Sequence, residues 1–377
     1  MIYLDYAAAT PVRKEVKKAM DEAENYFANP GSMHDEGNKA KESLEISREK
    51  IRKTIKARDD DKVIFTSSGT ESVNLAIKEV ASAYREKGKH IITSKIEHKA
   101  VLETCKYLEK EGFSVTYLDV DGYGRINPKD VEKAITKKTI LISIMYANNE
   151  VGTIQPVEEI AVIAEKNKVL FHTDACQAGY LDLDVRKLDV DLLTLNSNKI
   201  YGPKGAGLLY VREGVDIRPL IHGGGQEFGL RSGTENVSAI AGFARALELA
   251  GPEKVKENAR LQRLRDHFIA EVQKKINGTF LNGHPSERLP NNAHISFEGV
   301  DAETALASLN GRGIYASAGS ACTANEIKIS HVLKAMKVPE KLAGGSIRFT
   351  FGKETTEKEI EMTIKILQET IESLRKI

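Results

Sequence analysis

Five sites in this chain carry residue types that do chemistry when they are brought together. Lys199 lies in Asn196-Ser197-Asn198-Lys199-Ile200-Tyr201-Gly202-Pro203-Lys204-Gly205, between the apolar runs Val190–Leu195 and Leu208–Val211. A lysine held at such a strand end, beside a Gly-Pro-Lys-Gly turn, is placed for a carbonyl partner as readily as for solvent, and as a surface turn residue it would be ordinary. Gly69-Thr70 opens a helix, where free backbone N–H groups and the helix dipole form a seat for an anion; alone, it is a capped helix like many others. Asp174 ends an apolar strand and needs a cation, which a salt bridge or a protonated ring nitrogen would supply. His98 is either a half-buried histidine or an aromatic plate against a flat ligand. Cys322 sits in Ala316-Ser317-Ala318-Gly319-Ser320-Ala321-Cys322-Thr323, a small-residue run with nothing to bury, where a thiol is accessible rather than structural.

The elements that must hold these residues follow from hydrophobic periodicity. Helical patterns at Pro11–Ala28 and Glu36–Lys56 flank a loop at Asn29-Pro30-Gly31-Ser32. Strands at Lys62–Thr66, His90–Thr93, Val115–Leu118, Thr139–Met145 and Val169–Thr173 then alternate with helices at Glu71–Lys87, His98–Glu111, Pro128–Ile135 and Pro156–Lys166. Such alternation implies a mostly parallel sheet covered on both faces. Ligands in such sheets sit at the carboxyl ends of the strands. Ser68-Gly69-Thr70, Glu97-His98, Asn148-Asn149-Glu150, Asp174–Gln177 and Lys199 all fall there, so five clusters are expected on one edge. Beyond the glycine-rich stretch His222–Thr234, a helix at Val237–Leu249 and a second, charged one at Pro252–Ile276 lead to a smaller α/β unit. Its strands lie near His294–Phe297 and Ser346–Phe351, and its helices near Ala302–Asn310 and Thr356–Lys376. The division expected is a large cofactor-binding domain at 13–250 and a small domain at 1–12 and 251–377.

Length and composition bound the function. At 377 residues two domains are expected, and 41% hydrophobic with 29% charged residues is the balance of a soluble globular protein. A net charge of +1 with no concentrated basic patch argues against a nucleic-acid partner. No apolar run reaches the roughly 20 residues that span a bilayer, and Met1–Tyr6 lacks the features of a signal peptide, so a cytoplasmic location is expected. Cys105, Cys176 and Cys322 cannot all pair and lack metal-site spacing.

A lysine for a Schiff base, an aspartate for a ring nitrogen and a helix start for a phosphate together match a pyridoxal 5'-phosphate site. The motifs then become specific. Tyr3-Leu4-Asp5-Tyr6-Ala7-Ala8-Ala9-Thr10-Pro11, Phe65–Ile77, Glu97-His98-Lys99-Ala100-Val101, Asn148–Gly152, Asp174-Ala175-Cys176-Gln177, Arg231-Ser232-Gly233-Thr234 and Gly319–Thr323 resemble the cysteine desulfurases, in particular the IscS/NifS-like group, end to end and in order.

That resemblance implies a fold type I pyridoxal phosphate-dependent enzyme of the class-V aminotransferase group, a homodimer, converting L-cysteine to L-alanine. In it Lys199 forms the Schiff base and moves protons, Asp174 keeps the ring nitrogen protonated, His98 stacks on the ring and Gln177 bonds the phenolic oxygen. Gly69 and Thr70 hold the phosphate, Thr234 reaches in from the other subunit, and Arg348 with Asn149 grips the substrate carboxylate. Cys322 takes the sulfur as a persulfide. The segment Cys322–Val332 has the length of the long-loop group, which serves iron–sulfur scaffold proteins of the IscU-like type. Cys176 stands where relatives have Thr and is expected to be a buried small residue, and Cys105 to be core.

Two departures bear on cofactor retention. Relatives read Ser-x-His-Lys where this chain has Asn196 and Asn198. Misplacing a hydrogen bond to a charged group costs about 1.5–3 kcal/mol, so reduced activity is expected. An alternative is a cofactor-poor dimeric platform, with Cys322 ligating a [2Fe–2S] cluster shared with a scaffold. Asp35, close to the loop expected at Asn29–Gly37, is either a solvated charge or a hard partner to Cys322 in such a site.

Overall fold

The computed structural model describes residues 1–319 and 329–376. Twelve strands are present among the described residues: β1 (Ile2–Tyr3), β2 (Lys62–Thr66), β3 (His90–Ser94), β4 (Ser114–Leu118), β5 (Thr139–Ser143), β6 (Leu170–Asp174), β7 (Leu192–Asn196), β8 (Gly207–Val211), β9 (Thr279–Asn282), β10 (Asn292–Phe297), β11 (Ile314–Tyr315) and β12 (Ser346–Thr350). Seven of them form one sheet in the order β2-β8-β7-β6-β5-β3-β4. Only β8 runs against its neighbours. The sheet is therefore mostly parallel, as the alternation of elements predicts, and its central strands are buried on both faces. Thr139–Ser143 and Gly207–Val211 have no exposed residue at all, which explains their near-continuous apolar character.

Helix starts follow the side chains that can cap them. Ser68 accepts the Glu71 amide at the head of helix Gly69–Ala83, and His98 accepts the Ala100 amide at the head of helix Lys99–Lys110. Thr356 and Glu359 form a reciprocal capping box before the last helix, Glu357–Leu374. The helix expected at Pro11–Ala28 is shorter, Lys14–Ala23. Asp35, expected just before the helix at Glu36–Lys56, is the first residue of helix Asp35–Ile55, where a negative charge complements the dipole.

A second sheet, β12-β10-β9, is antiparallel. The edge strand β9 was not expected, because Thr279-Phe280-Leu281-Asn282 is too short for periodicity to reveal. Alternation sorts its residues into two faces. Ile295, Phe297, Ile347 and Phe349 enter one core, whereas His294 and Arg348 pair across the register on the opposite face, turned toward the large sheet. The N-terminal segment ties the pieces together, since β1 pairs with β11 and the Leu4 carbonyl accepts the Thr350 amide.

The two helices expected after residue 236 are another difference. In place of two helices there is one, Val237–Lys275, with Pro252 inside it. An internal proline costs about 3 kcal/mol through its missing N–H. Here the helix buries Phe243 and Leu247 in the core of the large sheet and Leu261, Phe268 and Val272 in the core of the small one. Burial at both ends outweighs the proline, at roughly 1.5–3 kcal/mol for each large side chain. Arg13 holds Glu253 at 2.8 Å on the turn that contains the proline.

Candidate active site

The carboxyl ends of the parallel strands open into a pocket of about 730 Å³, mouth included. Gly69 and Thr70 enter it after β2, His98 after β3, Asn149 beyond β5, Asp174 and Gln177 from β6, and Asn196 and Lys199 from β7. Arg348 comes in from β12. The structure thus brings together residues that the sequence separates by nearly 280 positions. Within the clusters only some members face the cavity. Glu97 is buried behind it, accepting from Ser94 Oγ at 2.6 Å and from the Met145 amide, and burial raises its carboxyl to about 8. Asn148 turns away to cap the amides of Glu150 and Val151.

Lys199 closes a short 3₁₀ turn, Ser197–Lys199. Its Nζ donates to the carbonyls of Ala7 and Ala8, at 2.7 Å each. Gln177 Nε2 donates to the same Ala7 carbonyl at 3.0 Å. Ala7 and Ala8 therefore form part of the pocket wall. Their contribution is made by backbone oxygens, which leave no side-chain signal, although the segment itself belongs to the motifs quoted above.

Asp174 is buried at the end of β6, and its Oδ1 accepts the Cys176 amide at 3.0 Å. Beneath it His172 is fully buried between Ser143 Oγ and Thr194 Oγ1, at 2.9 and 3.0 Å, and burial lowers its pKa to about 4. His172 was missed in the sequence because it reads there as part of a strand. His98 accepts the Ala100 amide on Nδ1, so the ring proton is on Nε2, and burial lowers its pKa. The ring is accordingly neutral at neutral pH.

Helix Gly69–Ala83 supplies the anion seat. Ser68 caps only the Glu71 amide, and among the described residues no acceptor takes the Gly69 or Thr70 N–H. Gly69 is required by packing: a Cβ there would lie 2.6 Å from Cys176 Sγ and 3.3 Å from Asn196 Cβ. Cys176 thus lines the pocket, with its thiol pushed well up by burial. Cys105 is core, as expected, its thiol raised to about 12 by burial.

Arg348 is 2% exposed, donates to Asp5 Oδ1 and to the Asn149 carbonyl at 2.8 Å each, and has a buried Nε with no partner among the described residues. Two residues are not brought to this pocket. Asn198 is absent from its lining, and its buried Oδ1 has no partner among the described residues. Thr234 lines a different cavity, beside Arg231 and Glu235. Cys322, both as sulfur acceptor and as cluster ligand, lies outside the described residues.

Amine, buried carboxylate, neutral aromatic plate and unclaimed helix-start amides are the complement of an aldehyde, a protonated ring nitrogen, a flat ring and a phosphate. The residues fit pyridoxal 5'-phosphate, and fold and site together define a fold type I enzyme of that cofactor. Residues 2–362 match the model of the aminotransferase class-V family, to which the chain belongs. It is 53% identical over 378 residues to the cysteine desulfurase IscS of Dictyoglomus turgidum, covering 100% of this chain and 96% of that one. It is 49% identical to the cysteine desulfurase IscS of Methanosarcina thermophila, covering 99% and 93%. Among solved structures, a NifS-like protein superimposes with a TM-score of 0.93 at 40% identity, over 99% of each chain. One described as SspA in complex with cysteine gives 0.82 at 38%, over 93% of this chain and 99% of that one.

Proposed function

We infer that the protein is a pyridoxal phosphate-dependent cysteine desulfurase, converting L-cysteine to L-alanine and supplying sulfur for iron–sulfur cluster assembly. The observation that carries this is the convergence of Lys199, Asp174 and Arg348 on one pocket, in a chain 53% identical to a desulfurase along its whole length. When bound, the cofactor supplies an electron sink next to the substrate's α-carbon.

Asp174 would hold the proton on the ring nitrogen. Neutral His98 would lie against the ring, and its neutrality would avoid a repelling positive charge beside that protonated nitrogen. The Gly69 and Thr70 amides would hold the phosphate, with Asn196 next to them and Thr234 of a second copy reaching in. Gln177, which donates to the Ala7 carbonyl, would donate to the phenolic oxygen instead. Lys199, which donates to the Ala7 and Ala8 carbonyls, would hold the aldehyde and move the proton at the substrate's α-carbon. Arg348 and Asn149 grip the carboxylate of cysteine. The Cys322 thiolate then attacks the substrate sulfur. The new S–S bond forms as the C–S bond breaks, the electron pair stays with the carbon, and a proton completes alanine. The sulfur leaves as a Cys322 persulfide, destined for a scaffold protein of the IscU-like type in the cytoplasm.

A second reading, a cofactor-poor homodimeric platform with Cys322 on a shared [2Fe–2S] cluster, is favoured only by Asn198, whose amide is not in the pocket. One experiment separates the two. Purified protein is given pyridoxal phosphate and L-cysteine, and alanine and sulfide are followed for wild type, Lys199→Ala and Cys322→Ser. Turnover that both substitutions abolish supports the desulfurase; equal rates in all three proteins refute it.

A further inference from the structure

Thr10 takes no part in the chemistry above, yet it bonds the chain on both sides of Lys199. Its Oγ1 donates to the Asn198 carbonyl at 3.0 Å and accepts the Tyr201 amide at 2.7 Å. Its backbone amide donates to the same Asn198 carbonyl, also at 3.0 Å. Nearby, the Arg13 amide donates to the Tyr201 carbonyl at 3.2 Å. The lysine therefore sits inside a turn whose two ends are held by a single threonine far away in sequence.

That turn needs holding. Tyr201 lies at φ +65°, a left-handed conformation that is costly for a residue with a large side chain and persists only where its surroundings impose it. The Ser197 carbonyl accepts the amides of Ile200 and Gly202, at 3.1 Å each, and closes the turn from within. The Tyr201 amide lies between these two in the chain and has Thr10 Oγ1 as its acceptor. Thr10 is itself preset, because the following proline, Pro11, favours an extended backbone for it. Its contacts join up with those of Ala7 and Ala8, whose carbonyls accept from Lys199 Nζ at 2.7 Å each. One short segment thus holds the lysine at its amine and brackets its backbone.

We propose that Thr10 is a positioning residue for Lys199: its hydroxyl fixes the turn from Asn198 to Tyr201, so that Nζ meets the aldehyde, and later the substrate's α-carbon, from one fixed root. A lysine carries its amine on a flexible four-carbon stem, and fixing the base of that stem removes part of the search that precedes each reactive encounter. The hydroxyl is suited to the task because it donates and accepts at once, which is what a carbonyl on one side of the lysine and an amide on the other require. The inference rests on the desulfurase reading.

The test compares Thr10→Val, which keeps the shape and loses the hydroxyl, with Thr10→Ser, which keeps the hydroxyl. The full-length, cofactor-free protein is mixed with pyridoxal 5'-phosphate, and the rise in visible absorbance is followed as the aldehyde carbon bonds Nζ and water leaves. Borohydride reduction and mass spectrometry locate that bond on Lys199. Thr10→Val is expected to form it about tenfold more slowly, and single-turnover alanine formation from L-cysteine to slow by a similar factor while KM stays within about twofold of wild type, as loss of orientation alone predicts. Thr10→Ser restores most of both rates. Hydrogen exchange at the Tyr201 amide in the cofactor-free protein rises in Thr10→Val and not in Thr10→Ser. Wild-type bond formation in Thr10→Val, a Thr10→Ser as slow as Thr10→Val, or unchanged exchange at Tyr201 overturns the proposal. If Thr10→Val does not fold, Thr10→Cys, whose thiol is a weak donor and acceptor, decides by the same readings. A wild type that forms no alanine refutes the desulfurase reading instead, and bond formation and exchange still judge Thr10.

Discussion

Asp5 Oδ1 and Arg348 Nη2 lie 2.8 Å apart, joining the first residues of the chain to a strand near its end. The arginine side chain is 2% exposed, so Asp5 is its charge partner when no substrate carboxylate is present. Removing one member of a buried pair leaves the other uncompensated, at a cost of about 3 kcal/mol. Asp5→Ala is therefore expected to lower the melting temperature by several degrees, and added L-alanine, whose carboxylate takes the vacant place, to restore more of it than it adds in wild type. Differential scanning calorimetry with and without the amino acid checks this.

Arg348→Lys keeps the charge but loses the fork. KM for L-cysteine should rise at least tenfold, on the roughly 1.4 kcal/mol that one lost charged hydrogen bond represents, with a smaller change in kcat. Steady-state kinetics give the split directly.

Asn196 touches the phosphate seat through its contact with Gly69, and Asn198 does not. Replacing Asn196 with Ala should weaken cofactor binding by about tenfold or more, from the loss of one hydrogen bond to a charged phosphate. Asn198→Ala should have less effect. Fluorescence titration of the cofactor-free protein distinguishes the two.

The pH dependence of stability has two opposing arms. Burial lowers His172 to about 4 from an ordinary 6.5, so between these values the unfolded chain binds more protons and stability falls as pH drops below 6.5. Burial raises Glu97 to about 8 from 4.5, so the folded chain holds the proton longer and stability falls as pH rises from 4.5 to 8. Glu97→Gln should flatten the upper arm, a change of a few kcal/mol at pH 8 relative to pH 5. Urea unfolding of wild type and variant across that range reads it out; parallel curves would refute the assignment.

Glu227 and Arg48 form a second buried pair at 2.8 Å, and Glu227 also accepts the Phe65 amide at 2.7 Å. Glu227→Ala leaves the Phe65 amide unpaired and Arg48 with the more exposed Glu45 as its remaining carboxylate, next to the strand that leads to Gly69. The expected loss is about 3–5 kcal/mol, measured by chemical denaturation.

Much of this was legible because the relevant signals are local. Strand ends followed by Ser-Gly-Thr, Glu-His or Asp-Ala-Cys-Gln announce a parallel sheet and its ligand edge, and the seven-stranded sheet and its pocket follow. What escaped was either non-local or carried by the backbone. Gly251-Pro252 reads as a helix break, and only burial in two separate cores shows why the helix continues. The carbonyls of Ala7 and Ala8 offer no residue-type signature for their contact with Lys199. The Asp5 carboxylate is visible in the sequence, but its pairing with Arg348 is set by β12 lying against the N-terminal segment.

The continuous helix Val237–Lys275 has a further consequence. Its first half is packed in one core and its second half in the other, so neither core can come apart without stripping apolar cover from a rod they share. Splitting the gene near residue 250 should yield two fragments that each end in a sticky half-helix, and a thermogram of the intact chain should show one peak rather than two.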